Sequence, residues 1–116
     1  MPCKLQRTGP NEFESATGAT VDLFVESGSG TVHITAAFNN DAPVPLEPNG
    51  HVILKNLPAG LSIVRLAFTA SDPDEEFPIK EDCGGNSQVL EKWRLQQGPN
   101  GEPGGPTKRL RINAKP

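Results

Sequence analysis

Few side chains in this sequence are both chemically able and closely spaced. The densest group is acidic. Residues 72–82 carry Asp72, Asp74, Glu75, Glu76, Glu81 and Asp82 against one lysine, Lys80. Closely spaced carboxylates can ligate calcium through hard oxygens, and Asp72-Pro-Asp-Glu-Glu76 is the place where they could do so. The spacing does not fit an EF-hand, which needs Asp, Asp or Asn, and Gly at set positions and a closing Glu. A solvated loop is therefore the leading reading and calcium the alternative. The opposite charge gathers downstream. Residues 87–116 carry Lys92, Arg94, Lys108, Arg109, Arg111 and Lys115 against Glu91 and Glu102. Arginine forks pair well with carboxylates on another surface. Arg94, Arg109 and Arg111, with Asp72, Asp74, Glu75 and Glu76, are thus the expected partner contacts.

The other reactive types offer less. His33 and His51 are the only histidines, both expected to face outward and able to pair across a sheet. No Cys/His spacing supplies the further ligands of a zinc site, so no metal is expected. Cys3 and Cys83 are too far apart in sequence for a CxxC motif. A bond between them would tie the N-terminal arm down, but two free thiols are expected, because nothing near Met-Pro-Cys-Lys-Leu-Gln-Arg resembles an apolar leader. That points to the cytoplasm, or to secretion if a leader has been cleaved. No nucleophile sits in an elbow motif, and no glycine-rich turn opens a phosphate-binding helix. Neither catalysis nor a cofactor is expected. Asn39-Asn40-Asp41 reads as a turn, with a lectin-like polar or metal contact as the alternative. Trp93, the one tryptophan, reads as a core residue, or as a sugar platform or partner anchor if exposed.

These side chains must be held by strands. Val21, Leu23 and Val25 alternate with Asp22, Phe24 and Glu26. After Gly28-Ser29-Gly30, Val32, Ile34, Ala36 and Phe38 form a second apolar row, opposite Thr31, His33, Thr35 and Ala37. Two such runs joined by a short turn predict a β-hairpin. Pro43, Pro45 and Pro48 mark residues 42–48 as a crossover or an edge. Asn49-Gly50 is a turn, followed by strands over 51–55 and 61–70. Val64, Leu66 and Phe68 share a face, while Leu61 and Ile63 fall off that register and predict a bulge or a doubly buried strand. Ile79 and Lys80 add a short edge strand. Residues 87–96 fit either period, and length favours a strand burying Val89, Glu91, Trp93 and Leu95. Leu110, Ile112 and Ala114 face in, with Arg109, Arg111 and Asn113 out. The glycine and proline run at 98–106 predicts a mobile loop, and residues 1–18 an irregular arm.

The sum is one all-β domain over residues 1–116, an antiparallel β-sandwich of about seven strands, of immunoglobulin or prealbumin type. Residues 49–68, Asn-Gly-His-Val-Ile-Leu-Lys-Asn-Leu-Pro-Ala-Gly-Leu-Ser-Ile-Val-Arg-Leu-Ala-Phe, resemble the turn–strand–NLPAG–strand unit of prealbumin-like sandwiches, the carboxypeptidase-regulatory-like and collagen-binding B-type repeats. Pro58 would stiffen the turn, Gly60 would take positive φ, and Leu57 would plug the end of the core. The resemblance implies an accessory module that binds, spaces or stabilises. Some collagen-binding B-type modules carry a Lys–Asn isopeptide bond, but the first clear strand here, residues 21–26, has no lysine.

The hydrophobic fraction of 34% is low, and no stretch approaches the roughly 20 apolar residues of a membrane helix. Nucleic-acid binding needs a broader basic surface with interleaved aromatics, and the last third offers only Trp93. The expected function is a non-catalytic binding or assembly module acting through protein–protein contact, with another protein or with itself. A carbohydrate-binding module, calcium-assisted in one form, is the alternative. Five Phe, one Trp and no Tyr give it little to work with.

Overall fold

The computed structural model describes residues 3–97 and 104–116. It contains ten strands and, among the described residues, no helix: β1 Gln6–Gly9, β2 Glu12–Ala16, β3 Val21–Val25, β4 His33–Asn39, β5 Ala42–Val44, β6 Val52–Leu54, β7 Gly60–Thr69, β8 Phe77–Asp82, β9 Ser87–Trp93 and β10 Thr107–Lys115. They form a six-stranded sheet in the order β1-β2-β10-β7-β4-β5 and a four-stranded sheet in the order β6-β3-β8-β9. The two pack face to face as a sandwich. Phe68 of β7 and Phe77 of β8 meet edge-on across the gap, ring centroids 5.1 Å apart. Leu23, Val64, Leu66, Ile79, Leu110 and Ile112 fill it with no exposed surface.

The all-β sandwich agrees with the sequence reading, but the described residues form ten strands instead of about seven. One pair, β2 with β10, is parallel. The extra strands come chiefly from the arm expected to be irregular. β1 and β2 pair as a hairpin, and Phe13 drops into the core beside Ile112. Two further corrections concern connectivity. The runs around Gly28-Ser29-Gly30 are not a hairpin. β3 pairs with β6 and β8, whereas β4 pairs with β5 and β7, so the turn carries the chain from one sheet to the other. For the same reason His33 and His51 stand on different sheets. β8 is a six-residue interior strand, not a short edge. The proline-rich segment does supply an edge strand, β5.

Bulges reset the facing of two strands. Between β4 and β7, Ile34 faces Phe68 while Ala36 faces Ala67, so Thr35 is an extra residue. Beyond it the alternation shifts by one. Ala37 is buried in place of Ala36, and Phe38 turns to the outer face. Between β8 and β9, Leu90 is the extra residue. It fills the core, Val89 is turned out, and Glu91 and Trp93 lie half-buried. β7 itself runs straight against β10, with no bulge. Its off-register residues Leu61 and Ile63 simply face solvent.

The turn at 56–60 behaves as its residues predict. Gly60 has φ +99°, and Leu57 is buried with its N–H on the Ala19 carbonyl. Cys3 and Cys83 form a disulfide, correcting the expectation of free thiols. Two residues before Cys83, the fully buried Glu81 accepts the backbone N–H groups of Lys4 (2.8 Å) and Leu5 (3.1 Å) and the Gln88 amide (2.8 Å). Disulfide and carboxylate together hold Cys3, Lys4 and Leu5 against β8. Of the loop expected over 98–106, residues 98–103 lie outside the described residues. Its end is fastened: Gly105 N–H donates to the Arg94 carbonyl, and Phe68 N–H to the Pro106 carbonyl. No helix among the described residues is long and apolar enough to cross a membrane.

Candidate functional site: an arginine cleft on the six-stranded sheet

β7 and β10 are central strands, and their antiparallel register decides what the outer face presents. Arg109 lies directly opposite Arg65, Arg111 opposite Ile63, and Asn113 opposite Leu61. On the other side of β7, Phe38 is the partner of Arg65. Because the Thr35 bulge has turned Phe38 outward, the Arg65 guanidinium lies over its ring, 4.3 Å from the centroid.

One end of this face is closed by the β4–β5 turn. Asn40 and Asp41 both take positive φ (49° and 66°), the conformation of a tight two-residue hairpin loop. Asn40 clasps β7: its backbone N–H donates to the Ile63 carbonyl and its side-chain carbonyl accepts the Ile63 N–H, each at 2.9 Å. The other end is closed by the β1–β2 turn, where the Asn11 carbonyl accepts the Arg111 N–H. Between them opens a cleft of about 630 Å³ that holds Arg65, Arg109, Arg111 and Ile63, with Glu12 and Asp41 at its rim.

Among the described residues, no carboxylate lies within ion-pair distance of Arg65, Arg109 or Arg111, although four other lysines and arginines pair with carboxylates. Three cations on one open face repel one another and raise the affinity of that face for anions. Exposed Leu61 and Ile63 continue the face as apolar surface. Charge, aromatic and aliphatic groups side by side are what a protein-binding surface uses.

The expected partner contacts therefore separate. Arg109 and Arg111 come together, joined by Arg65, which sequence reading passed over. Its outward direction follows from Val64, Leu66 and Phe68 facing in, but its place beside Arg109 depends on a strand pairing no local pattern reveals. Arg94 is elsewhere, paired with Glu76 at 3.1 Å. The acidic loop is largely engaged within the chain. Glu75 accepts the hydroxyls of Ser29 and Ser27, which hold its carboxyl below the usual range, and Asp72 accepts the Asp74 N–H.

Trp93 is half-buried. Its indole N–H donates to the Gly105 carbonyl (2.8 Å), and the Lys108 ammonium sits over its ring at 4.2 Å. Lys108 occupies an inward position of β10 and is only 8% exposed. Burial lowers its pKa, Glu91 opposes that shift, and Arg7 adds to it. Glu91 in turn accepts the Asn11 N–H (2.8 Å) and pairs with Arg7 (3.0 Å).

Metal-donor side chains converge at two places among the described residues. At Cys3, Glu81 and Cys83 the sulfurs are already bonded to each other. The other is Asp22, His51 and Asp82, on the outer face of the four-stranded sheet. No protein-family model matches the chain, and no characterised protein or solved structure matches it.

Proposed function

We propose that the chain is a non-catalytic binding module that docks a carboxylate-bearing protein surface on the outer face of its six-stranded sheet. The observation that carries this reading is the convergence of Arg65, Arg109 and Arg111, without a carboxylate partner among the described residues, beside exposed Ile63 and Leu61. Guanidinium groups that hold no carboxylate among the described residues keep their donors open to charge-assisted hydrogen bonds with a partner's acidic groups. Engagement of Glu75 and Glu76 within the chain favours a different acidic protein over a second copy docking its 72–76 loop. The same reading takes the 56–60 turn, with Leu57 plugging the core, as that of a prealbumin-like accessory module. The disulfide supports an oxidising compartment as the place of action.

The test uses a peptide of alternating Glu and Leu as probe, titrated into the protein at low and high salt and followed by amide chemical shifts. Shifts should map to β7, β10 and the β4–β5 turn and weaken with salt. Arg65→Gln/Arg109→Gln should reduce affinity at least tenfold, while Arg94→Gln should leave it unchanged. No binding at low salt, or equal losses in both variants, overturns the reading. A concentration-dependent rise in mass abolished by Arg109→Glu/Arg111→Glu would move the partner to a second copy.

A further inference from the structure

We infer that Asp22, His51 and Asp82 form a binding site for a divalent transition metal of the zinc type, on the sheet opposite the arginine cleft and independent of it. Each donor comes from a different part of one sheet. Asp22 of β3 and Asp82 of β8 are direct cross-strand partners. Their neighbours Leu23 and Glu81 point into the core, so both aspartates stand on the outer face. On the other side of β3, Asp22 is opposite Ile53 of β6, and His51 precedes Ile53 by two residues, on the same face.

The donor atoms of the three residues all lie within 4.8 Å of one another, and His51 Nδ1 is 2.7 Å from Asp22 Oδ1. Bonds of about 2.0–2.2 Å to a common ion place neighbouring donors about 3–4 Å apart, so only small side-chain adjustments are needed. The donors are held. Phe24, the next outward residue of β3, stacks on the imidazole with centroids 4.8 Å apart and planes 5° from parallel. Asp82 is oriented by the Gly84 N–H on its Oδ1, which leaves its second oxygen available.

Charge is the second, independent indication. Two like charges directly opposite on a sheet destabilise it, and among the described residues no lysine or arginine pairs with either aspartate. Among the described residues the imidazole pairs with Asp22 alone and Asp82 has only the Gly84 N–H, so a divalent cation would neutralise both carboxylates. The donor chemistry selects the ion. One imidazole nitrogen and two carboxylates suit zinc, cobalt or nickel, with water completing the shell. Calcium prefers six to eight oxygens and is disfavoured by the nitrogen.

The test is isothermal titration of chelator-treated, disulfide-intact protein with zinc chloride, with nitrogen-15 spectra of the histidine rings recorded in parallel. The expected result is one ion per chain, a shift of the His51 ring resonances, and an undisturbed His33 ring. His51→Ala and Asp82→Asn should each weaken binding at least tenfold, while His33→Ala leaves it unchanged. Asp82→Asn keeps a side-chain oxygen for the Gly84 N–H, so a loss there reports a lost ligand and not a lost turn. No binding, binding that survives either site variant, or binding that follows His33 overturns the assignment.

Discussion

Arg65 and Arg109 face each other directly across β7 and β10, two arginines on neighbouring strands with no carboxylate paired to either among the described residues. Like charges in that position cost stability, and the cost differs between the two residues. Arg65 recovers part of it by lying over Phe38, whereas Arg109 stacks on no ring among the described residues. Arg109→Gln should therefore raise stability by about 0.2–1 kcal/mol. Arg65→Gln should be neutral or destabilising by about 0.5 kcal/mol, because the stacking is lost with the repulsion. Urea midpoints at low salt measure both, and the Arg109 gain should shrink as salt screens the pair. A destabilised Arg109→Gln would mean that this arginine is held by a structural contact and is not poised for a partner.

Glu81 carries a different prediction. It is fully buried, and its carboxylate satisfies the N–H groups of Lys4 and Leu5 and the amide of Gln88. Truncation to alanine strands these donors away from water and empties a side-chain volume. Glu81→Ala should cost about 3–5 kcal/mol, the range for removing one partner of a buried charged network. Equilibrium unfolding measures it. Faster amide exchange at Lys4 and Leu5 in Glu81→Gln, which still accepts but without the charge, would tie the loss to the N-terminal segment. An Ala variant within about 1 kcal/mol of wild type would show that water replaces the carboxylate.

The contrast between Glu81 and Leu110 explains what was legible in the sequence. Leu110, Ile112 and Ala114 alternate without interruption on β10, and their inward facing could be read directly, as could Arg109 and Arg111 outward. β4 could be read as far as Ile34. At Thr35 a single extra residue reversed the pattern, and nothing local distinguishes Thr35 from its neighbours. The N-terminal hairpin was illegible for another reason. Phe13 is its one large buried side chain, with Leu5 just before it, and much of what holds it comes from Cys83, Glu81 and Glu91, some eighty residues away. The arginine cleft was half visible. Two of its arginines share a strand, and the third reaches them through a pairing that periodicity within one strand cannot encode. Asp22 and Asp82 lie on two strands and His51 just before a third, and no spacing within the sequence brings the three together.

The Cys3–Cys83 bond spans 80 residues of sequence, so its chain-entropy contribution is large. Loop closure over that length predicts a loss of about 4–5 kcal/mol on reduction, before any strain is considered. The bond also fixes the segment that supplies the Lys4 and Leu5 N–H groups to Glu81, so reduction and Glu81→Ala should not be additive. A Cys3→Ser/Cys83→Ser variant unfolded in urea, alone and with Glu81→Ala, measures the coupling. Full additivity would show that the disulfide and the carboxylate hold the chain independently.

Lys108 gives a pH dependence whose sign is fixed by the direction of its shift. Desolvation lowers its folded pKa below the ordinary lysine value of 10.5, against the attraction of Glu91. In the interval between the lowered folded value and 10.5 the unfolded chain binds the proton and the folded chain has released it. Stability from this group therefore rises with pH across that interval. Below it both states are protonated, and the folded protein carries the full cost of holding an ammonium among Trp93 and the core. Lys108→Met removes that cost and keeps an apolar stem beside the indole. At pH 7 the variant should equal wild type or exceed it by about 1 kcal/mol or less. The difference should close as pH rises toward 10.5. Urea midpoints of the two proteins at matched pH values from 7 to about 10.5, the ordinary lysine value, isolate Lys108 from every group they share. A variant less stable than wild type at pH 7, with a gap that closes only as the lysine deprotonates, would show the reverse. The attraction of Glu91 and the Trp93 ring would then outweigh desolvation, and Lys108 would be a net stabilising cation.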